Sequence, residues 1–330
     1  MTRLVLALDT EFELVNPAWA KLAGFSYSWA EGSARYMAPS PEALAHLQEQ
    51  LDAADIVVGH NVPVDCLVLE NVGIKVPYAK LHDTILMSAV LQEEELGLKA
   101  LAYKHFRVLM TDLDEIIGTG KKRRDPTTVP VEEIWDYACA DADMTRRLFL
   151  FQAQRLAAIP ALEYIYETME RPCLEAVVAM QRNGVLLDWE KFKELEVELE
   201  GMVQSLCGTL QNITGNAKFN PNAHQQVQHF LYDLPPAGLG LPPQHNIKTD
   251  ALSGDERSIM ALRERKDHPF LATLLDYRGK FAMLTRYLRP FPALADCNGW
   301  LHPTFKLFGA QRTGRMASAD PNFQNIPVRS

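Results

Sequence analysis

Cysteine is scarce and poorly spaced for chemistry: the 330 residues hold five, an odd number, and no two form a CxxC pair. That argues against a disulfide framework or a cysteine-based zinc site and leaves reduced thiols as the reading. Long apolar runs are missing too. No stretch of about 18 apolar residues occurs, so a membrane span is not expected. The opening MTRLVLALDTEFE puts acids where a secretory leader needs its cleavage site, and the expected location is the cytoplasm. No internal repeat is visible. Positive charge is short overall, with a formal net charge of −9. What remains is an ordinary globular composition, 47% apolar and 23% charged, on a chain long enough for two domains.

The shortage of positive charge is not uniform. Residues 257–289 hold eight Lys or Arg against three acids, and residues 303–330 hold four against one. The first 256 residues therefore carry −16. A basic C-terminal part suits phosphates, while an acidic N-terminal part can recruit cations before it meets nucleic acid.

Leu4–Phe12 is an apolar run ending in acids, the pattern of a buried strand. Ala23–Trp29 and Ala34–Ala38 flank Glu31-Gly32-Ser33 and read as a hairpin. Helices are expected over Pro41–Leu51, from Asn61 to Leu69, over Leu81–Leu91, Leu98–Phe106 and Val131–Leu150, with a short strand at Ile56–Val58 and a polar loop at Gly118–Pro130. Three strands followed by alternating helix and strand make an α/β layer fold with a mixed sheet. Beyond residue 160 the pattern turns to long helices: Glu167–Asn183 ending at Gly184, a helix capped by Asp188, one starting near Asn220-Pro221, one capped by Ser253-Gly-Asp-Glu256, and one from Pro269 to Arg289. Trp300–Phe308 reads as short strands.

Chemistry concentrates in four acids and a phenol. Residues two apart on a strand share a face, so Asp9 and Glu11 project together; Glu13 lies beyond the strand end as a bystander. Residues four apart on a helix share a face, so Tyr137 and Asp141 point into one cleft. Asp65 opens a helix after a strand, where clefts form in α/β sheets. Clustered carboxylates repel and hold protons unless cations neutralise them. Oxygen-only donors suit two Mg²⁺ or Mn²⁺ ions, which about 4 Å apart can serve a phosphodiester hydrolysis. The Tyr137 hydroxyl would position the attacking water.

LDTEFE, GHNVPVD and YACADAD, with HDTILMSAVL between the last two, resemble the motifs of DEDD-type 3′–5′ exonucleases of the tyrosine subclass. The resemblance implies a ribonuclease-H-like fold in which Asp9, Glu11 and Asp141 hold one ion. Asp9 would bridge to a second ion that Asp65 reaches partly through water, and Tyr137 would orient the nucleophile. Asp83 and Asp143 match positions that are not ligands and are read as structural.

The second half resembles the polymerase portion of family A DNA polymerases, the bacterial DNA polymerase I type. The resemblance rests on Arg171-Pro172, QRNGVLLD ending at Asp188, FNPNAHQQ from Phe219, LLDYR ending at Arg278 with Lys280 and Tyr287, and TGRMASADPNFQNIPVR from Thr313 to Arg329. It implies an exonuclease domain over residues 1–160, a mainly helical linker and thumb over 161–295, and a short β start of the palm over 296–330. Arg278 and Lys280 sit on a cationic helix face suited to duplex phosphates, and Arg315, Asn322, Gln324 and Asn325 offer donors to the minor groove. Residues 121–124, Lys-Lys-Arg-Arg, form either a guide for single strands or a solvated loop. KTDALSGDERS at 248–258 departs from the family's threonine- and glycine-rich stretch and leaves the thumb-tip contacts open.

The resemblance implies DNA as partner: a single-stranded 3′ end at the nuclease and a primer–template duplex at thumb and palm. Its polymerising carboxylates and fingers would lie beyond the matched segment. Polymerisation is therefore expected only with a second polypeptide, or after a joining event. An arrangement starting at the exonuclease is common among phage enzymes, so the expected compartment is a bacterial or phage-infected cell. The alternatives are a stand-alone 3′–5′ exonuclease of repair or RNA processing, and a non-catalytic DNA-binding scaffold.

Overall fold

The computed structural model describes residues 3–310 and 313–327. It divides into two compact units, one of Met1–Val185 with His302–Ser330, the other of Leu186–Leu301. Among the described residues no helix is long and apolar enough to cross a membrane.

In the first unit, β1 (Val5–Phe12), β2 (Leu22–Ser28), β3 (Arg35–Met37), β4 (Ile56–Gly59) and β5 (Leu81–Asp83) form one sheet in the order β3-β2-β1-β4-β5. β1 pairs antiparallel with β2 and parallel with β4, and β4 runs parallel to β5. This is the mixed sheet the sequence predicts. β1 is the central strand, and Leu6, Ala7 and Leu8 are all buried, so both its faces are covered.

Helices α1 (Pro41–Ala53), α2 (Val62–Asn71), α3 (Thr84–Val90), α4 (Leu98–Phe106), α5 (Leu113–Ile117), α6 (Val131–Ala157), α7 (Pro160–Ile165) and α8 (Cys173–Asn183) complete that unit. The Ser40 side chain accepts the Ala43 N–H at 3.1 Å, which starts α1, and Ala43, Leu47 and Leu51 put its apolar stripe on the core. α6 buries Ile134, Ala138, Asp141, Thr145, Leu148 and Gln152, spaced three or four apart along one face. An acid therefore sits in the middle of its buried stripe.

The structure departs from the sequence expectation at several points. Leu81–Leu91 is not one helix: Leu81–Asp83 is the edge strand β5, and the helix begins after it. Short apolar runs do not distinguish strand from helix by period, and pairing with β4 decides the matter. The helix expected from Val131 to Leu150 continues to Ala157. A π turn, Tyr166–Glu170, precedes α8, where one helix from Glu167 was expected. Short 3-10 turns at Gly120–Lys122 and Pro126–Thr128 punctuate the expected polar loop.

The expected segments 161–295 and 296–330 differ from the observed units for a traceable reason. Residues 173–185 join the first unit because Arg182 donates to the carbonyls of Ala18 and Leu67 at 3.1 and 2.6 Å and pairs with Glu70 at 3.1 Å. The strands Thr304–Ala310 and Arg315–Ala319 form an antiparallel ribbon that joins it too. Gln181 accepts hydrogen bonds from Phe305 N through its side chain at 2.6 Å, and its carbonyl lies 2.8 Å from His302 Nδ1.

The second unit is helical: α9 (Trp189–Thr214), α10 (His224–Tyr232), α11 (Glu256–Arg265), α12 (Pro269–Met283), a π turn at Leu284–Leu288 and α13 (Phe291–Leu294). Its core gathers Leu210, Phe219, Leu231, Leu262, Phe270 and Leu274. Asp188 caps α9 as expected, accepting from Lys191 N at 3.1 Å. Two starts differ. α10 begins at His224, because Asn220 spends its side-chain oxygen on Asn222 N in a turn. α11 is capped by Asp255, which accepts from Ser258 N at 2.8 Å, while Ser253 takes Asp255 N instead.

Candidate active site

β1 carries Asp9 opposite Ser26 and Glu11 opposite Gly24 of β2, so both acids leave the central strand on one face. On the strand's other flank α2 brings Asp65, of which one oxygen accepts from Thr10 N at 3.0 Å and from Thr10 Oγ1 at 2.6 Å. The residue between the two acids thus fixes the third. α6 brings Tyr137 and Asp141, and the phenol hydrogen-bonds the Asp141 carboxyl. The helix is held in place by Ser26, whose hydroxyl donates to the Ala138 carbonyl at 2.7 Å. Ser26, opposite Asp9, therefore anchors the turn between Tyr137 and Asp141.

Glu11, Asp65 and Asp141 are 5, 4 and 7% exposed, a depth at which carboxyls are rarely found without partners. Electrostatics show that they converge. Burial, then the charges of Asp65, Glu11 and Asp141, push the Asp9 carboxyl far above its ordinary value. Burial and then Asp141 and Asp65 push Glu11 up to about 8. Burial raises Asp65 to about 7 against the opposing Thr10 hydrogen bonds, and raises Asp141 to about 6 against Lys99 and the Tyr137 bond. Burial and the same acids raise the Tyr137 phenol well above its usual range.

Two side chains near the acids have no motif to announce them. Tyr36 is pushed up to about 12 by burial and then by Glu11 and Asp9; its ring occupies the space a side chain at Gly24 would need, 2.0 Å from the hydroxyl. Lys99 of α4 opposes the carboxylates with a positive charge. Ser26 was equally silent in the sequence, and Thr10 stood within a motif with its role unannounced, since each acts through a partner far along the chain.

Asp83 and Asp143 have other duties. Asp83 caps α3, taking Ile85 N at 2.9 Å, and also accepts Asn61 N and Val62 N, which fixes the turn entering α2. Asp143 accepts Gly32 N at 2.8 Å and ties the β2–β3 turn to α6.

Among the described residues, no three His, Cys, Asp or Glu side chains are gathered tightly enough to hold a metal ion as they stand. The donor set nevertheless fits a hard divalent cation. It is oxygen only, burial pushes the titration of all four carboxyls upward with neighbouring acids adding to it at Asp9 and Glu11, and Asp141 Oδ1 is buried with no hydrogen-bond partner.

The expected DNA contacts lie elsewhere. Arg315 is exposed on its strand. Gln324 is folded back, accepting Ser318 N at 3.1 Å and donating to the Met316 carbonyl at 2.9 Å, and Asn322 caps the turn Phe323–Asn325 that contains Asn325. Arg278 is half-buried and donates to the Gly254 carbonyl, and Lys280 pairs with Asp276. In the basic loop, Arg123 pairs with Asp114 at 3.4 Å and Arg124 with Glu133 at 2.6 Å. The end of the last motif, Val328 and Arg329, lies outside the described residues.

Comparison with known proteins divides the chain near residues 156–189, and its second match runs through the ribbon that packs into the first unit. Residues 2–156 match the family model for 3′–5′ exonuclease, and residues 189–330 that for DNA polymerase family A. DNA polymerase I of Chloroflexus aurantiacus is 30% identical over 98% of this chain and 35% of its own length. That of Pseudomonas aeruginosa is 28% identical over 99% and 37%. The chain thus spans about a third of these curated relatives. The POL domain of Pol1 from M. smegmatis, solved in complex with DNA primer-template and dNTP, has the same fold at a TM-score of 0.81 and 22% identity, over 100% of this chain and 53% of that one.

Proposed function

We propose that this chain, whose residues 2–156 match the 3′–5′ exonuclease family model and residues 189–330 that of DNA polymerase family A, is the proofreading and DNA-gripping part of such a polymerase, hydrolysing the terminal phosphodiester of a DNA 3′ end. The observation that supports this most is the gathering of four buried or half-buried acids, with Asp65 and Asp141 raising both Asp9 and Glu11. Asp9, Glu11, Asp65 and Asp141 would hold two divalent cations, Mg²⁺ or Mn²⁺. Bound there, such ions supply activation of water and stabilisation of charge on the leaving oxygen.

This chain's own residues do the remaining work. Thr10 and Ser26 hold Asp65 and the Tyr137–Asp141 turn at fixed places before any ligand arrives. The phenol keeps its proton at all working pH values, since its titration is pushed upward, so it acts as a hydrogen-bond donor and orients the water rather than taking its proton. A strand would have to be unpaired to reach acids this deeply buried, and unpairing costs least at frayed or mismatched ends.

The test is digestion of a single-stranded oligonucleotide labelled at its 3′ end with Mg²⁺ present. Release of labelled mononucleotide supports the reading; intact substrate in the presence of folded protein would falsify it. Tyr137→Phe keeps the ring and loses the hydroxyl, and is expected to lower kcat by roughly tenfold with KM little changed. An unaltered kcat removes the role given to the phenol.

On the polymerase side Arg315, Asn322, Gln324 and Asn325, all exposed, would offer donors to the minor groove, while Asn322 and Gln324 also hold the turn they sit on. Arg278 and Lys280 would meet duplex phosphates with the donors their internal partners leave over. Arg315→Ala should weaken primer–template binding about tenfold in fluorescence anisotropy while leaving single-strand digestion alone; an equal loss of both would place Arg315 at the nuclease. Among the described residues the ribbon Thr304–Ala310 with Arg315–Ala319 is two strands wide, and a two-stranded ribbon with open edges invites further strands. A continuation of the chain or a second polypeptide carrying the polymerising carboxylates would add them. Isolation from the source organism with a co-purifying partner supports the second polypeptide.

A further inference from the structure

We propose that Lys99 is a positioning residue of the exonuclease, holding the ring of Tyr137 by its face so that the hydroxyl stays aimed at Asp141 and the attacking water. The inference rests on the hydrolytic reading above and goes beyond it, since no motif contains this lysine.

The geometry is specific. Lys99 is the second residue of α4, and that helix is locked to α6 by Leu98, Leu101 and Ala102 packing on Met144 and Leu148. The backbone bearing the ammonium is therefore fixed relative to the helix bearing the phenol. Nζ lies 4.7 Å from the centre of the Tyr137 ring, inside the range where a cation is held by an aromatic face. On its other side Nζ pairs with Asp112 Oδ1 at 3.4 Å. Asp112 is itself anchored, its N–H donating to Glu115 Oε1 at 2.9 Å at the start of α5. A lysine on a surface helix ordinarily keeps its rotamer freedom. This one is held between a carboxylate and a ring, only 27% exposed, with its charge directed at Asp9, Glu11 and Asp141.

The ring is the part of Tyr137 that Lys99 touches, and the hydroxyl is the part that works. That separation makes the role testable. Lys99→Met is expected to lower kcat about tenfold on a single-stranded 3′ end, with KM within about twofold, because the phenol is freed while the cleft is kept. Lys99→Arg, which also stacks on aromatic faces, should retain kcat within about threefold. In a Tyr137→Phe background there is no hydroxyl to aim, so Lys99→Met should cost nothing further. Lys99→Gln serves as a second neutral variant, with thermal melting to show that each protein is folded.

Multiplicative losses in the Tyr137→Phe background would overturn the proposal, as would an Arg variant no better than Met. A rise in KM at unchanged kcat would do so as well, and would make Lys99 a contact to the nucleic-acid backbone. If the unsubstituted chain releases nothing, the hydrolytic reading falls and this role with it; if it digests and Lys99→Met matches it, only the positioning role falls.

Discussion

Asp9→Ala should reduce nucleotide release from a single-stranded 3′ end by about a thousandfold or more, to the background of the assay. Asp9 is the acid that all three others bear on: burial and then the charges of Asp65, Glu11 and Asp141 raise its carboxyl. It also stands on the central strand, between β2 and β4, where no shift of a neighbouring loop can bring in a substitute. Removing it takes the shared member from the donor set and leaves three acids on separate elements. The melting temperature should be no lower than the parent's, which separates a lost reaction from a lost fold. Digestion that survives Asp9→Ala, with protein shown to be folded and free of contaminating nuclease, would move the reaction away from this site.

The second large effect has the opposite sign for stability. An acid whose folded-state pKa is raised binds its proton more tightly in the folded chain, so its ionisation works against folding. Glu11 at about 8, Asp65 at about 7 and Asp141 at about 6 are all raised above their ordinary values near 4, and Asp9 moves in the same direction. Their contribution is therefore most favourable near pH 4, weakens as pH rises through 6 to 8, and is least favourable above pH 8. Without divalent ions the chain should lose stability across that window. Glu11→Gln, which cannot ionise, should raise the melting temperature at pH 8 in EDTA by several degrees, corresponding to about 1–3 kcal/mol. At pH 5 the gain should nearly vanish. Adding Mg²⁺ at pH 8 should stabilise the unsubstituted chain more than the variant, since a ligand that binds only the folded state favours it. A variant less stable than the parent at pH 8 in EDTA would mean that the acids are not in mutual conflict. If instead the variant gains stability as expected, stability is the property sacrificed at this cleft, a trade common at active sites.

Much of this was legible in the chain itself. Alternation on β1 put Asp9 and Glu11 on one face, and four-residue spacing put Tyr137 and Asp141 on another; both follow from backbone periods that hold whatever the surroundings. The mixed sheet followed from the order of elements. What was misread had a common cause. Leu81–Asp83 is a strand because β4 offers an edge at that height, and α10 and α11 begin where one polar side chain wins a local competition for N–H groups. The strand depends on a neighbour in space, which a run of letters does not contain; the two helix starts depend on which of several adjacent polar side chains takes an N–H, which composition alone leaves undecided.

The same division governs the site. The residue types and spacings alone determined that acids and a phenol would be presented from a strand and a helix, with an acidic first part and a basic later one. Only the tertiary structure decided how these would be held: Thr10 on Asp65, Ser26 under the Tyr137 turn, Tyr36 in the space left by Gly24, and Lys99 against the phenol ring. The physical reason is range. Backbone geometry repeats over two to four residues and is written locally, whereas hydrogen bonds, burial and charge act between atoms that the fold has brought within a few ångströms from distant positions, such as Ser26 and Ala138, 112 residues apart.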